Sequence, residues 1–303
     1  MTIAEAVYGA LPAALAQPST DAVQVSPLVV GAQAIEDLAD GSLGRFAILA
    51  PPGTLERRYV LAQALRALAP GGELLALARK DMGGARLAAE LISFGCEVME
   101  SAKRHHRICR CARPATPTGL EAAIILGGLQ PAASLGLVSQ PGIFSWDRLD
   151  PGSALLIAQP WDPTGSGADL GCGAGVLARK VLASPDVRAL TLIDIDRRAL
   201  TAARANIDDA RAQFLQHDLR LPPKGLTGLD FAIMNPPFHD GGVEDRQLGQ
   251  ALVASAAAML KKGGVLRLVA NVALPYENIL TANFAKVRLI IREGGYKVLE
   301  GQA

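Results

Sequence analysis

The stretch Ala168-Asp169-Leu170-Gly171-Cys172-Gly173-Ala174-Gly175 decides the fold. A short apolar strand runs into alternating glycines, and the helix-period segment Val176 to Leu182 follows. Glycine lets the backbone turn sharply and pass close to a ligand, and the first N–H groups of the next helix face the crevice at the strand's carboxyl end. A G-x-G-x-G string alone is a weak signal. It gains weight from Asp194, about 20 residues on at the end of the run Leu190 to Ile193, where a carboxylate can accept both ribose hydroxyl protons. The last glycine of the dinucleotide fingerprint is missing, with Val176 and Ala178 in its range.

Outward from this loop, strand-like and helix-period segments alternate. The strand-like ones are Ala168 to Leu170, Leu190 to Ile193, Gln213 to Gln216, Phe231 to Met234, Val265 to Ala270, Val287 to Ile291 and Tyr296 to Leu299. From Gln250 to Leu260, Leu252, Ala256, Met259 and Leu260 share one helical face that would cover a sheet. The expectation is an α/β domain with a mostly parallel sheet covered on both faces.

Asp169 followed by glycines at 171, 173 and 175 resembles the first motif of class I, Rossmann-like methyltransferases. The resemblance implies S-adenosylmethionine as methyl donor, held by Asp169, Gly171, Gly173 and Gly175. It assigns Asp194 to the ribose, preferred over Asp196 because Asp194 directly ends the apolar run. Asp218, in Gln216-His217-Asp218-Leu219, follows the third strand and would contact the adenine amino group; a surface turn carboxylate is the other reading.

Asn235-Pro236-Pro237-Phe238 ends the fourth strand, beside the expected methyl group. An exocyclic amine on a purine delocalises its lone pair into the ring and is a poor nucleophile. The Asn235 side-chain oxygen and the Pro236 carbonyl can each accept one N–H, holding the amine in line with the methyl and favouring tetrahedral nitrogen as the bond forms. Asn235 thereby lies at both the cofactor and the catalytic position. The prolines at 236 and 237 stiffen the loop. Phe238 offers a ring for base stacking, a contact of about 1–3 kcal/mol in nucleic-acid binders. No strong base is required, because nitrogen loses its proton readily once positively charged; His239 and Asp240 stand close enough to relay it.

A faint internal repeat organises the chain. Phe46-Ala47-Ile48-Leu49-Ala50-Pro51-Pro52 lines up with Phe231-Ala232-Ile233-Met234-Asn235-Pro236-Pro237, which sets Ala50 against Asn235 and Gly53 against Phe238. Gly71-Gly72 then matches Gly263-Gly264, and Phe94 with His106-Arg107-Ile108 matches Phe284 with Tyr296-Lys297-Val298. No glycine-rich loop precedes Phe46, so the first copy is expected to have lost cofactor and catalysis. Ala50-Pro51-Pro52-Gly53-Thr54 begins like a phosphate loop, but Leu55-Glu56-Arg57 replaces the Lys-Ser/Thr such a loop needs. These readings divide the chain into a degenerate α/β domain at 1–119, a linker at 120–140 studded with Gly and Pro, and the active domain at 141–303.

A length of 303 residues, half of them apolar, suits two cores. Ala14-Leu15-Ala16 mimics a signal-peptidase site, yet Glu5 replaces the basic start and Pro12 breaks the apolar stretch. With no apolar run near the roughly 20 residues of a membrane helix, a cytoplasmic protein without membrane contact is expected. The four cysteines fit no disulfide framework, and His105, His106, Cys109 and Cys111 match no usual zinc spacing, so no metal is expected. A net charge of +1 argues against nonspecific coating of nucleic acid. The local run Lys103-Arg104-His105-His106-Arg107, with Arg110 and Arg113, reads either as a phosphate contact or as a solvated hairpin.

Taken in order, Pro141-Gly142-Ile143-Phe144-Ser145, Leu149-Asp150-x-Gly152-Ser153, the glycine loop, Asn235 through Gly241, Gly263-Gly264, Val269-Ala270-Asn271 and Leu274-Pro275-Tyr276 resemble the small-subunit ribosomal RNA guanine-N2 methyltransferase C family. The likeness spans residues 141 to 300. It implies a methyltransferase half preceded by a smaller, degenerate methyltransferase-like half that serves folding or RNA binding. It also implies guanine N2 of 16S ribosomal RNA as target, with the small ribosomal subunit as partner. The first half keeps only the later part of the fold pattern, and Trp146 and Arg148 stand in a segment beside the expected cofactor. Other readings are a sister enzyme acting on 23S RNA, an Asn-Pro-Pro methyltransferase of DNA adenine or protein glutamine, and a noncatalytic ribosome-assembly module. A tyrosine in place of Phe238 would fit the second of these better, and the intact Asn235 and Asp194 speak against the third.

Overall fold

In the computed structural model, residues 4–236, 239–240, 243–244 and 246–303 are described. The chain divides into two compact units, residues 1–130 with 140–142 and residues 131–139 with 143–303.

The first unit contains β1 (Glu5–Tyr8), β2 (Val23–Gln24), β3 (Leu43–Leu49), α1 (Thr54–Ala67), β4 (Leu68–Arg79), α2 (Ala85–Ser93), β5 (Met99–Lys103), β6 (His106–Ala112) and α3 (Leu120–Gly127). Its sheet runs β2-β1-β3-β4-β6-β5, parallel from β2 to β4, with β6 antiparallel to both β4 and β5. Phe46, Ile48, Leu74 and Ala76 form one core with Leu61, Leu65, Leu87 and Leu91 from the helices. Within it Arg57 is fully buried, giving Nε and Nη2 to Glu90 at 2.6 and 2.7 Å and Nη1 to the Pro51 and Pro52 carbonyls at 3.2 and 2.7 Å. The basic run 103–107 forms the β5–β6 hairpin, with Arg104 and His105 at positive φ in its turn and Arg107 paired to Glu100 at 3.2 Å.

The chain continues through β7 (Gln130–Ala132) and β8 (Leu137–Ser139) to α4 (Pro151–Ala158), β9 (Gly165–Leu170), α5 (Val176–Leu182), β10 (Val187–Asp194), α6 (Arg197–Asn206) and β11 (Ala212–Gln216). Then come β12 (Leu229–Met234), the short pair β13 (His239–Asp240) and β14 (Val243–Glu244), α7 (Arg246–Met259), β15 (Leu260–Asn271), α8 (Tyr276–Asn283), β16 (Lys286–Glu293) and β17 (Tyr296–Gln302). The stretch expected as a linker, 120–140, therefore holds α3, β7 and β8. Residues up to 130 group with the first unit, where α3 lies so close to α1 that a Cβ on Gly127 would overlap Tyr59. Residues 131–139 group with the second, where Asn206 receives the Val138 N–H at 2.7 Å and donates to its carbonyl at 2.8 Å.

The large sheet of the second unit runs β11-β10-β9-β12-β15-β17-β16. All neighbours are parallel except β17, which is antiparallel to β15 and β16. Both faces are covered. Ala232, Met234, Leu266 and Leu268 pack under α7 and α8, with Leu252, Ala256 and Met259 contributing from α7; Leu260, expected on that helix, opens β15 instead. Phe231, Ile233, Leu190 and Leu192 pack on the other face under α4, α5 and α6. Strand order reverses between β9 and β12, and ligands of open α/β sheets bind beyond the carboxyl ends of the strands at such a point.

Strand pairing shows the same arrangement in both units and shifts the alignment of the repeat by one residue. In the first unit Tyr8 pairs with Ile48 and Phe46 with Leu74; in the second Leu170 pairs with Met234 and Ala232 with Leu266. Each β3-like strand carries an irregularity after its first pair, Leu43 with Leu68 and Leu229 with Leu260. Gly71 and Gly263 turn at φ +78 and +79°, and a Cβ on Gly72 or Gly264 would press on the Leu43 or the Leu229 carbonyl at 3.2 and 2.9 Å. Arg45, not Phe46, thus matches Phe231, and Leu49, not Ala50, takes the place of Asn235. A slip of one residue exchanges the two faces of a strand. Accordingly Phe46 faces the core under α1, whereas Phe231 faces α5 and meets Trp161 edge-on at 5.5 Å. The first unit also retains more than the later part of the pattern: β1 and β2 stand where β9 and β10 stand in the second, and Gly9 follows β1 at φ +84° as Gly171 follows β9 at +74°.

Candidate active site

Of the residues expected at the site, those that the structure describes lie at or just beyond the carboxyl ends of β9, β10, β11 and β12. Gly171, Gly173 and Gly175 have φ of 74, 51 and 88°, the left-handed region that glycine enters without strain. A Cβ on Gly171 or Gly173 would meet no atom within 4 Å, so open space lies before the loop. The loop is held from both sides. Asp194 accepts the Gly173 N–H at 2.9 Å from β10, and Asn206 at the end of α6 donates to the Ala174 carbonyl at 2.9 Å.

Asp194 accepts the Asp196 N–H as well, at 2.9 Å. Burial pushes its carboxyl up to about 6, against the pull of the Asp196 and Gly173 N–H groups. Asp196 is committed elsewhere: it caps α6 through the Arg198 N–H at 2.9 Å and pairs with the Arg198 guanidinium at 2.8 Å.

Asp169 is fully buried, and neither carboxylate oxygen has a hydrogen-bond partner among the described residues. Burial pushes its carboxyl up to about 8; the nearby Ala178 N–H opposes this without completing a hydrogen bond. A buried acceptor with no donor fits a cationic ligand group. Together with the open glycine loop and Asp194, the donor set suits S-adenosylmethionine, which carries a sulfonium, an ammonium and a ribose diol. Asp218 sits two positions past β11, partly exposed, with its carboxylate on the Arg220 N–H at 3.0 Å and the Arg220 guanidinium at 3.2 Å. Its place at the sheet edge fits the adenine reading, while its bonds are those of a turn.

Asn235 follows β12 directly. Its Nδ2 donates to Asp150 Oδ2 and to Ser153 Oγ, each at 2.9 Å, and its Oδ1 is buried with no partner among the described residues. Pro236 is buried. Pro237 and Phe238 lie outside the described residues, as does the His239 side chain.

Sequence reasoning quoted Asp150 and Ser153 only as part of a family string. Asp150 caps α4 by accepting the Ser153 N–H at 2.8 Å, and Pro151 opens the helix, where its missing N–H costs nothing. A Cβ on Gly152 would lie 3.0 Å from both Asp150 Oδ2 and the Tyr296 ring, so only glycine lets the cap sit this close. The segment before it, from Ile143, packs on Ala174 of the glycine loop and on Ala199 and Ala202 of α6, with Trp146 beside them and Ser145 at φ +48°. One stretch of chain thus runs from the glycine loop to Asn235. Lys297, quoted in the sequence only as part of the repeat, fixes the turn after β15: its buried Nζ donates to the Val272 and Leu274 carbonyls at 3.3 and 2.7 Å and pairs with Glu277. Its cue was a lysine where its strand neighbours are apolar.

Among the described residues no group of three or more His, Cys, Asp or Glu could hold a metal, the four cysteines are free and buried, and no helix is long and apolar enough to cross a membrane.

Comparison with known proteins agrees with this geometry. The family described as methyltransferase small domain matches residues 134–300. Ribosomal RNA small subunit methyltransferase C of Pseudomonas paraeruginosa is 33% identical over 259 residues, covering 83% of this chain and 77% of that protein. The protein of the same name from Erwinia tasmaniensis is 34% identical over 260 residues, covering 82% and 72%. Among solved structures, the T. thermophilus 16S rRNA N2 methyltransferase RsmC, in complex with AdoMet and guanosine, is similar at a TM-score of 0.74 and 26% identity, covering 89% of this chain and 75% of that one. The chain belongs to the methyltransferase small domain family, in the group of the ribosomal RNA small subunit methyltransferases C.

Proposed function

We propose that this protein transfers a methyl group from S-adenosylmethionine to the exocyclic N2 of a guanine in 16S ribosomal RNA, within the small ribosomal subunit and hence in the cytoplasm. The reaction belongs to the domain at 141–303; the degenerate domain at 1–119 takes no part in the chemistry. The observation that carries this reading is the buried Oδ1 of Asn235 at the end of β12, without a partner among the described residues while its Nδ2 is already engaged.

S-adenosylmethionine supplies an electrophilic methyl carbon on a sulfonium. Asp169 would face its cationic end, Gly171, Gly173 and Gly175 would let it approach the backbone, and Asp194 would hold the ribose. Asn235 Oδ1 accepts one N–H of the guanine amine and the Pro236 carbonyl accepts the other, aligning the nitrogen lone pair with the methyl. As the N–C bond forms and the C–S bond breaks, nitrogen becomes positive, and both acceptors stabilise that charge. The proton then leaves to water, giving neutral N2-methylguanine and S-adenosylhomocysteine. Phe238 is assigned to stacking on the base and Pro237 to stiffening the loop.

The test is to incubate small subunits from a strain lacking the protein with radiolabelled S-adenosylmethionine and to identify the labelled nucleoside. N2-methylguanine in 16S RNA is the expected product. Asn235→Ala is expected to lower turnover about 100-fold or more, as loss of one transition-state hydrogen bond does, while calorimetry still shows cofactor binding. Label only on 23S RNA, on adenine or on protein would replace this reading with one of its rivals, and absence of cofactor binding would leave a noncatalytic module.

A further inference from the structure

We infer that Asp150, assisted by Ser153, is a positioning residue for the reaction: it sets the orientation of the Asn235 amide and places a negative charge one amide group behind the atom that receives the substrate amine. The inference rests on the proposed function and adds residues to it.

The geometry dictates the orientation. An amide side chain can present either its oxygen or its NH2 to the substrate, and the two choices are opposite in chemistry. A carboxylate is acceptor-only. With Asp150 Oδ2 at 2.9 Å, the group facing it must be Nδ2, because the flipped amide would set its oxygen against a carboxylate that has no proton to give. Ser153 Oγ, also at 2.9 Å, takes the second N–H. Both donors of Asn235 are thereby used inside the protein, and only Oδ1 is left for a ligand.

The arrangement exceeds what a helix cap requires. A cap needs only the Ser153 N–H on Asp150, which is present at 2.8 Å. Here the same Oδ2 also receives Asn235, which lies 85 residues along the chain on a different element. Asp150 and Ser153 are 9 and 7% exposed, so water does not compete effectively for their oxygens. Gly152 has no Cβ to push the cap away from Tyr296. When the substrate nitrogen becomes positive, its N–H donates more strongly to Oδ1, the amide polarises, and its N–H groups donate more strongly to Asp150. A chain of hydrogen bonds ending on a negative charge strengthens as positive charge develops at its head.

The experiment measures kcat and both KM values on small subunits lacking the modification, for the wild type, Asp150→Ser, Asp150→Asn, Ser153→Ala, Asn235→Ala and Asp150→Ser with Asn235→Ala. Serine and asparagine cap a helix about as well as aspartate, so thermal melts should change little, but serine is too short to reach Asn235. Asp150→Ser is expected to lower kcat at least 10-fold with KM for cofactor and subunit within about 3-fold, and Asp150→Asn, which can keep one acceptor, to fall between it and wild type. In the Asn235→Ala background Asp150→Ser should have no further effect, since residues acting as one unit are not additive. Wild-type turnover in Asp150→Ser, or an effect of equal size with and without Asn235, would overturn the inference. Failure of the wild type itself to make N2-methylguanine would instead overturn the proposed function.

Discussion

Among the described residues Asp169 has no ion pair and no hydrogen bond although it is fully buried, so its charge is opposed by the fold rather than supported. Burial pushes its carboxyl up to about 8, far above the value of about 3.9 for an unfolded chain. Between these values the folded protein holds a proton that the unfolded chain has released. Stability therefore falls as pH rises from about 4 to about 8 and is flat above, and Asp194, pushed up to about 6, adds to the lower part of this fall. Asp169→Asn removes the buried charge while keeping the shape. Without cofactor, the variant should be more stable than wild type at pH 8.5, by more than about 1 kcal/mol, with the difference vanishing near pH 4. Its affinity for S-adenosylmethionine should fall roughly 10-fold, the loss expected for one charged hydrogen bond. Thermal melts across pH with calorimetry check both, and a stability difference independent of pH would refute burial as the cause. The glycines, Asp194 and Asn235 were legible in the sequence because each ends a strand within its own local motif. The tie between Asn235 and Asp150 was not, because it joins elements 85 residues apart and neither end signals the other.

Strand β9 and the loop after it use glycine for different purposes, and substitution separates them. A Cβ on Gly167 would overlap the Phe231 ring inside the core, whereas one on Gly173 would meet nothing within 4 Å but would sit at φ +51°. Gly167→Ala is therefore expected to cost about 1–3 kcal/mol through overpacking, with cofactor affinity retained by the folded protein. Gly173→Ala should cost about 1–2 kcal/mol through backbone strain, yet weaken cofactor binding at least 10-fold, because its methyl enters the space in front of the loop. Denaturant unfolding and calorimetry on both variants distinguish the two. A Gly173→Ala protein that binds the cofactor normally would remove the loop from the site. At this scale strands and helices were legible from periodicity, and Val176–Leu182 is a helix as read. Register was not legible. Phe46-Ala47-Ile48 and Phe231-Ala232-Ile233 match letter for letter, but strands buried on both faces carry no alternation to reveal which face a residue takes. The pairings of β3 with β1 and β4, and of β12 with β9 and β15, show the slip.

Across the whole molecule, the two units share the order β1-β3-β4-β6-β5 and β9-β12-β15-β17-β16, and the first lacks, among the described residues, parts on which the proposed reaction depends. It has no partner strand corresponding to β11 and no helices corresponding to α5 and α6 among the described residues, since the chain passes from β1 to β2 and from β2 to β3 without an α-helix. One glycine, Gly9, stands where the second unit has its glycine loop. Beyond β3, the Arg57 guanidinium is bonded to Glu90 and to the Pro51 and Pro52 carbonyls, so the turn that in the second unit presents Asn235 and Pro236 is here engaged internally. The corrected register identifies Leu49 as the residue to change if a single lost side chain had silenced this unit. Leu49→Asn in an Asn235→Ala background should therefore give no more N2-methylguanine than Asn235→Ala alone, measured by label incorporation into small subunits. Cofactor binding should stay at one equivalent, because among the described residues the first unit has neither a complete glycine loop nor a carboxylate like Asp194 at the end of its second strand, where Gln24 stands instead. Regained methylation would mean that the first unit keeps a working cofactor site and lost only its acceptor, and the division of labour between the two copies would have to be redrawn.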